Sequence, residues 1–283
     1  MSAITSTSSP ASLDGIPREL PLPEPTRLQA IRQRYGSTLF LIADVGIFLI
    51  LWQLIQGGAH PIVDPRWIPA PLDIANAFVK NLMNGQFWKH GSFSLTNYTV
   101  GMLFSVLVGI PMGLFLGSTP TVRAVLGSYV WMAYSTPIIA VQPILIIVFG
   151  FGMSAKVVLI AAMSIFPVLI NTMTGVATVD ESLLRAGRVF GASRREIFQK
   201  IILPYTLPWI IAGVRQASIR GLIAMLISEL YGSTRGLGFM VIRAAETYDT
   251  PTSYAAIGII VAISVAIQII YGRLEKSLAP WRG

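Results

Sequence analysis

The stretch from Val179 to Pro204, VDESLLRAGRVFGASRREIFQKIILP, predicts two short charged helices between long apolar segments. Asp180 is a residue type that caps a helix N-terminus, and Gly191 supplies the left-handed residue that ends the same helix. Ser193 and Glu196 have the S-x-x-E spacing of a capping box, so a second helix is predicted to begin at once. Pro204 is predicted to mark the exit. This loop is typical of a docking surface.

One face of the first predicted helix is small and apolar. Its residues fall at positions i, i+3, i+4 and i+7 and are Leu183, Ala186, Gly187 and Phe190. Arg185 and Arg188 point away from this face. Such a face can seat in the groove of a partner protein.

The composition is that of a membrane protein. Of 283 residues, 53% are hydrophobic and 12% are charged, which is too apolar for a soluble domain of this length. The net charge of +8 comes from basic residues beside apolar segments, without interleaved aromatics, which favours membrane orientation and argues against a nucleic-acid partner. The chain has no cysteine, so disulfides and thiolate metal sites are excluded.

Six apolar segments are long enough to cross a bilayer, which needs about 20 residues per helix. The chain is therefore predicted to be an all-α, polytopic membrane protein. The first 36 residues are polar and lack the apolar core of a signal peptide, so residues 1–36 are predicted to be a tail before a transmembrane domain at 37–283. The predicted spans lie near 37–57, 94–117, 126–150, 155–177, 204–230 and 252–272, with the docking loop at 180–204.

The distribution of basic residues predicts the orientation. With the amino terminus inside, thirteen Lys and Arg residues fall on the inner side and six on the outer side. Because inner loops carry the excess of positive charge, both termini and the docking loop are predicted to be cytoplasmic.

Small residues and prolines mark the second and third spans. Gly101, Ser105, Gly109, Gly113 and Gly117 place a small residue at every fourth position, which predicts close helix packing, within the subunit rather than across a dimer. Pro137 and Pro143 interrupt the third span. Such a break either borders a transport site or is a kink against a neighbouring helix, and both interpretations stay open.

The outer segment between the first two spans predicts structure rather than chemistry. A surface helix is expected near Asp73–Asn84, and His60 and His90 are expected to be solvated loop residues rather than metal ligands. The chain contains no P-loop and no hydrolase or metalloprotease motif. We therefore expect no catalytic residue, no metal site and no enzyme activity.

Polar residues inside the spans are the candidates for a translocation pathway, since an ionised group near the bilayer centre costs about 2.5–3.5 kcal/mol unless it faces protein or water. Arg220 is the most informative of them. With Gln142 and Asn171 as neutral hydrogen-bond partners, and with Glu229 further along its helix, it predicts a route for a small anion. The alternative is a structural ion pair between Arg220 and Asp44 or Glu229.

The sequence resembles the membrane permeases of bacterial binding-protein-dependent ABC importers, specifically the nitrate, sulfonate, taurine and bicarbonate group. The loop motif of those permeases, E-A-A-x3-G-x9-I-x-L-P, keeps its spacing here, with Arg185 in the acidic position and Gly187 in place of the second alanine. The matching residues are Arg185, Ala186, Gly187, Gly191, Ile201, Leu203 and Pro204. Further similar stretches are FPVLINTMTG from Phe166, LPWIIAGVRQA from Leu207 and GLGFMV from Gly236.

The resemblance implies a type I importer permease fold in the bacterial cytoplasmic membrane. It also implies two cytoplasmic ATP-binding subunits, a second copy of the permease and a periplasmic or lipoprotein substrate-binding protein. The chain itself needs no cofactor, because ATP and magnesium would be bound by the partner ATPase. The docking loop would couple the ATP-binding subunits to the permease. Two alternatives remain: a secondary transporter driven by an ion gradient, and a membrane scaffold that recruits a cytoplasmic protein.

Overall fold

The fold is described from a computed structural model, which describes residues 27–58 and 61–278. This part of the chain is helical and contains no β-strand, which confirms the predicted all-α class. The helices are α1 (Arg27–Gln56), α2 (Pro71–Met83), α3 (Gln86–Ser118), α4 (Pro120–Ser135), α5 (Gln142–Phe149), α6 (Met153–Ala177), α7 (Glu181–Val189), α8 (Arg194–Ile197), α9 (Leu203–Tyr231), α10 (Leu237–Glu246) and α11 (Thr250–Leu278).

Four described helical segments are long and apolar enough to cross a membrane: α3, α6, the continuous run Arg194–Tyr231, and Thr250–Glu275 of α11. A fifth crossing is formed if α4 and the segment Ile138–Phe149 are taken as one broken span. Phe40–Gln56 of α1 is a shorter apolar helix.

The chain divides into two compact units, residues 1–51 and 52–283. In the first unit the described part is helix α1 as far as Leu51. Of the predicted tail, residues 1–26 lie outside the described residues. Residues 27–36 already belong to α1. The helix begins before the predicted span because no proline interrupts the sequence between Pro25 and Pro61.

Helices α3 and α6 form the closest pair of the second unit along the predicted strip of small residues. Each strip glycine faces an α6 residue, and the pairs are Gly101 with Ile160, Gly109 with Val168, Gly113 with Thr172, and Gly117 with Val176. Both members of a pair advance together along the chain, so the two helices are parallel. The prediction that this strip packs within the subunit is confirmed.

The parallel arrangement of α3 and α6 determines whether the segment between them, α4 and α5, crosses the membrane. Two parallel spans that touch must be joined by a segment that returns across the membrane, so α4 and α5 together form a crossing rather than a re-entrant loop. Helix α9 runs the other way, because Gly175 faces Trp209 while Gly213 faces Asn171. The loop between α6 and α9 therefore stays on one side of the membrane.

The break in the third span follows Thr136, whose backbone is extended. Pro137 disfavours a helical conformation at the residue before it, which ends α4. One turn of 3-10 helix, Ile138–Val141, then leads into α5, and the two halves are bent by 72°. Pro143 does not interrupt the span as predicted; it lies in the first turn of α5, where a missing N–H costs little.

Helix α2 confirms the predicted surface helix near Asp73–Asn84. Pro71 begins it with a preset backbone angle. Its Phe78 ring lies 5.4 Å from that of Phe87 at the start of α3, and Asn81 donates a hydrogen bond to Thr252 of α11 at 3.3 Å. The helix thus packs over the end of the bundle opposite α7 and α8.

Candidate functional site

The docking loop begins with the predicted N-cap. Oδ1 of Asp180 accepts a hydrogen bond from the backbone N–H of Ser182 at 2.7 Å, which confirms the cap of α7. Hydrogen bonding from the backbone and side chain of Ser182 stabilises the charged form, so the pKa of the Asp180 carboxyl lies below its ordinary value. A carboxylate here also complements the positive end of the helix dipole.

The C-terminus of α7 has the left-handed turn that Gly191 predicts. Gly191 has a φ of 77°, its N–H bonds to the carbonyl of Arg188 at 3.0 Å, and the N–H of Ala192 bonds to that of Gly187 at 2.9 Å. These are the two hydrogen bonds of a Schellman motif, and they close the helix one residue after Phe190.

The predicted capping box at α8 is also present. The N–H of Ser193 donates to the Glu196 carboxylate at 3.0 Å and the N–H of Glu196 donates to the Ser193 hydroxyl at 3.3 Å. Glu196 also pairs with Lys200, one turn later, at 3.0 Å. The direction of the chain after Gly191 is therefore fixed locally.

Pro204 lies where the loop passes into the next span, as predicted, but the helix is not broken there. Helix α8 passes through one turn of π-helix, Phe198–Ile202, into α9. The N–H of Leu203 bonds to the carbonyl of Phe198, five residues back, and Pro204 falls in the first turn of α9. The wider turn accommodates a residue that has no N–H, so the helix runs without interruption from Arg194 to Tyr231.

The predicted apolar face of α7 is divided between two roles. Gly187 faces Ile201 and Ile197 so closely that a Cβ would lie 3.0 Å from the Ile201 side chain. Phe190 projects outward with 90% of its surface exposed, and Val189, which the sequence interpretation missed, is 85% exposed. The inward part of the face holds α7 on α8, and the outward part is free to meet a partner.

A groove of about 510 Å³ lies beside this face and is lined by Leu183, Lys200, Ile201, Pro204 and Tyr205. Ala186 is exposed on the same short helix, and Leu203 is half-buried at the start of α9. The structure thus brings the predicted docking residues into one segment.

Arg220 has a partner that the sequence interpretation missed. Its Nη2 donates a hydrogen bond to the Tyr134 hydroxyl at 2.7 Å, and its guanidinium lies over the same ring, 4.4 Å from the centroid. The predicted hydrogen bonds to Gln142 and Asn171 are not formed. The pairing with Glu229 is also wrong, because the two residues are nine positions apart and so lie on opposite faces of α9.

Asn171 instead belongs to a second polar contact on the same side of α9. Its amide donates to Oε1 of Gln216 at 3.0 Å and to the carbonyl of Pro167 at 2.8 Å. Gln216 lies one helical turn before Arg220, so both point in a similar direction. The Arg220 and Gln216 contacts therefore form a short polar line along α9.

Glu229 is fully buried and holds the turn that follows α9. Three successive N–H groups at the start of α10 are each taken by a side chain: Gly236 by Nδ1 of His90 at 3.1 Å, Leu237 by the Ser94 hydroxyl at 2.9 Å, and Gly238 by Glu229 at 3.0 Å. This set, which we call the α10 clasp, satisfies donors that a helix start leaves unpaired. His90 is therefore not a solvated loop residue as predicted, and His60 lies outside the described residues.

Lys156, on α6, packs against the same turn between α9 and α10. It is 1% exposed and donates to the carbonyls of Phe151, Gly152 and Gly232 at 2.7, 2.9 and 3.1 Å. Gln142 lies nearby, close to Gly232, and is 2% exposed. Gln142 and Glu229 thus lie in the packed end of the bundle, apart from the polar line on α9.

Comparison with known proteins supports the same architecture. The model of a family described as binding-protein-dependent transport system inner membrane component matches residues 106–280. The taurine transport system permease protein TauC of Escherichia coli K12 is 31% identical over 247 residues, covering 86% of this chain and 89% of that protein. The putative aliphatic sulfonates transport permease protein SsuC of Bacillus subtilis 168 is 29% identical over 259 residues, covering 92% and 93%.

A solved structure shares the fold. The MetNI methionine ABC transporter, in an inward-facing conformation, aligns with a TM-score of 0.61 and 18% identity, covering 69% of this chain and 97% of that one. At this identity the likeness concerns the fold alone, and it confirms the predicted fold class.

Proposed function

The chain belongs to the family of binding-protein-dependent transport system inner membrane components, and on that premise we propose that it moves a small anionic solute into the cell in an importer driven by ATP. The chain is the transport permease subunit and crosses the membrane several times. ATP and magnesium are bound and used by two separate ATP-binding subunits. A second copy of the permease and a periplasmic or lipoprotein substrate-binding protein complete the assembly.

The exposed tip of the docking loop carries this proposal. Val189 and Phe190 are 85% and 90% exposed beside a Schellman turn and a capping box that fix their position. A bulky apolar pair on a small rigid helix suits an apolar groove in a partner protein. Arg185 and Arg188 on the same helix suit acidic groups at the rim of that groove.

The connection from the loop to the membrane gives this contact a mechanical use. Helix α8 continues through the π-turn into α9, so a displacement of the loop is passed to a span that carries Arg220. An ATP-dependent partner biases the permease only if it prefers one of its conformations, by a few kcal/mol for a nearly complete shift. A continuous helix from partner to pathway allows that preference to reach the solute.

The orientation follows from charge. The end of α11 lies on the same side as the docking loop, because α11 is antiparallel to α9: Arg215 pairs with Glu275 at 3.0 Å, and Ser218, further along α9, accepts from the earlier Gln268 at 3.0 Å. This side carries the excess of Lys and Arg. Lys156, counted among the outer residues, is buried and carries no weight for orientation, which makes the asymmetry larger. We place the loop in the cytoplasm of a bacterial cell and the α10 clasp at the outer surface.

The solute is a small oxyanion, and a sulfonate is our first choice. TauC and SsuC are named for taurine and aliphatic sulfonates, which share the sulfonate group. Arg220 forms no ion pair with the described part of the chain, so its charge favours an anion in the pathway.

Reconstitution with the ATP-binding subunits and the binding protein tests the proposal. We expect ATP-dependent uptake of taurine into proteoliposomes. Phe190→Ala should lower uptake and weaken retention of the ATPase, whereas Trp88→Ala, 82% exposed at the other end of the bundle, should leave the ATPase bound. Uptake driven by an ion gradient without nucleotide would favour a secondary transporter, and absence of any solute flux would favour a scaffold.

Labelling of single cysteines tests the orientation directly, since the natural chain has none. A cysteine at Val189 should react with a membrane-impermeant maleimide only from the cytoplasmic side. A cysteine at Met83, 82% exposed on α2, should react only from outside. The reverse pattern would contradict the proposal.

A further inference from the structure

The contact between Arg220 and Tyr134 joins two helices that the proposed function does not otherwise connect. Arg220 lies in α9, about 25 Å along the helix from Leu203 at 1.5 Å per residue. Tyr134 lies near the end of α4, three residues before Pro137 and the 72° break. The hydroxyl and the ring of Tyr134 both face the same guanidinium.

We propose that Arg220 and Tyr134 form an anion-binding subsite in which the oxyanion end of the solute replaces the Tyr134 hydroxyl as the partner of Arg220. The inference rests on the proposed function and adds to it the residues that respond to binding of the solute's anionic group. Tyr134 restrains α4 against α9 while no solute is bound.

The hydrogen bonds of Arg220 favour this role. A guanidinium has five N–H donors in a planar fork, and within the described residues Arg220 donates to a single acceptor, the Tyr134 hydroxyl. A structural arginine in a membrane interior is held by a carboxylate or by backbone carbonyls. Arg220 is paired with a neutral phenol and an aromatic face, which stabilise its charge without cancelling it. A carboxylate or sulfonate binds such a fork through two oxygens at once, so an anion that displaces the Tyr134 hydroxyl forms two charge-assisted hydrogen bonds with Arg220 in place of one to a phenol.

The neighbouring polar contact extends the subsite. Gln216, one turn before Arg220, already accepts a hydrogen bond from Asn171. These neutral amides lie on the side of α9 nearer the docking loop and suit the polar remainder of a small solute such as the amine of taurine.

Because Tyr134 lies just before the break after α4, replacement of its hydroxyl by an anion changes how α4 is held against α9. While Tyr134 holds Arg220, the half-span before the break is tied to the helix that continues into the docking loop. When an anion takes Arg220, that tie is lost and α4 can move against α9 at the Pro137 break. Binding of solute would thereby be reported to the ATP-binding subunits through α9.

Three variants in the reconstituted complex test this inference with taurine as the solute. Tyr134→Phe keeps the ring and removes the hydroxyl, so we expect ATP hydrolysis without solute to rise several-fold while taurine uptake continues with an unchanged or lower KM. Arg220→Gln removes the anion partner, so taurine-stimulated hydrolysis and uptake should fall about tenfold or more. Arg220→Lys should restore part of the stimulation, because it keeps the charge but not the fork.

Arg215→Gln is the matched control, since it removes a positive charge from the same helix at a half-exposed surface pair. It should leave the solute response unchanged. If Tyr134→Phe and Arg220→Gln lower uptake equally, without raising hydrolysis in the absence of solute, the pair is a structural brace and the inference is wrong. If Arg220→Gln does not assemble, the basal hydrolysis of Tyr134→Phe still decides, and a wild-type value contradicts the inference.

Failure of the proposed function looks different. In that case the wild-type complex shows no ATP-dependent uptake of any oxyanion tested. Uptake that is present but insensitive to all three variants overturns only the role assigned to Arg220 and Tyr134.

Discussion

The hydroxyl of Ser94 donates a hydrogen bond to the carboxylate of Glu229 at 2.8 Å, and both side chains are fully buried. The same hydroxyl accepts the N–H of Leu237 at 2.9 Å. One hydroxyl therefore joins three helices: α3, α9 and the start of α10. Glu229 also lies against Gly236, whose φ of 117° and missing Cβ leave room for the carboxylate.

The α10 clasp predicts a large stability effect at Glu229. Glu229→Ala removes the acceptor for Ser94 and for the N–H of Gly238, and each buried donor left without an acceptor costs about 1–3 kcal/mol. We expect the variant to lose about 3 kcal/mol or more of folding free energy. The measurement is the midpoint of thermal unfolding in detergent, with hydrogen exchange at the N–H groups of Leu237 and Gly238 as the local readout.

Glu275→Ala is the control for this prediction. Glu275 is also a carboxylate with a hydrogen-bonded partner, but it is partly exposed, and such pairs contribute at most about 1 kcal/mol. Equal shifts for the two variants, or unchanged exchange at the start of α10, would show that the clasp does not hold the turn.

The glycine strip on α3 predicts a steric effect that depends on position. A Cβ at Gly113 would lie 2.7 Å from the carbonyl oxygen of Leu169 on α6. Gly113→Ala must therefore separate two helices and should cost about 1–3 kcal/mol. Gly258→Ala, on α11, meets nothing within 4 Å and should be neutral or stabilising by up to about 1 kcal/mol, because alanine favours helices.

The fraction of protein that remains monodisperse after heating distinguishes these two variants in size-exclusion chromatography. Gly113→Ala should aggregate at a lower temperature than the wild type, and Gly258→Ala should not. If both behave like the wild type, the close approach of α3 and α6 is not required for stability.

Features that depend on neighbouring residues could be predicted from the sequence. The cap at Asp180, the left-handed turn at Gly191 and the capping box at Ser193 each need only a few adjacent residues to form. The packing strip of α3 could be predicted for the same reason, since a repeat of four residues places its glycines on one face of any helix.

Contacts between distant segments could not be predicted in this way. Tyr134 is 86 residues from Arg220, and their meeting depends on how α4 is rotated before a break whose angle the sequence does not specify. His90 is 146 residues from Gly236. It is predicted to lie in a loop because the second span is expected to begin near residue 94, whereas α3 begins at Gln86 and includes it. The π-turn before Pro204 could not be predicted either, because it has no clear sequence pattern.

The left-handed conformation of Gly191 predicts that this residue affects the coupling of ATP hydrolysis to transport, and two substitutions test whether the turn is the cause. Its φ of 77° lies in the left-handed region, which costs most residues about 1–2 kcal/mol but is tolerated by asparagine. Gly191→Val should therefore open the Schellman turn and displace Phe190, whereas Gly191→Asn should keep both. A Cβ at position 191 has nothing within 4 Å, so the backbone angle rather than a clash of the Cβ distinguishes the two variants.

The two variants are compared by trypsin cleavage at Arg188 and by ATP-dependent taurine uptake in proteoliposomes. Gly191→Val should be cleaved faster and should transport less per ATP hydrolysed, because a docking tip without a fixed direction transmits less of the partner's movement. Gly191→Asn should match the wild type in both assays. Equal coupling in Gly191→Val despite faster cleavage would mean that the partner itself orders the tip, and that the local turn is not what positions Phe190 for docking.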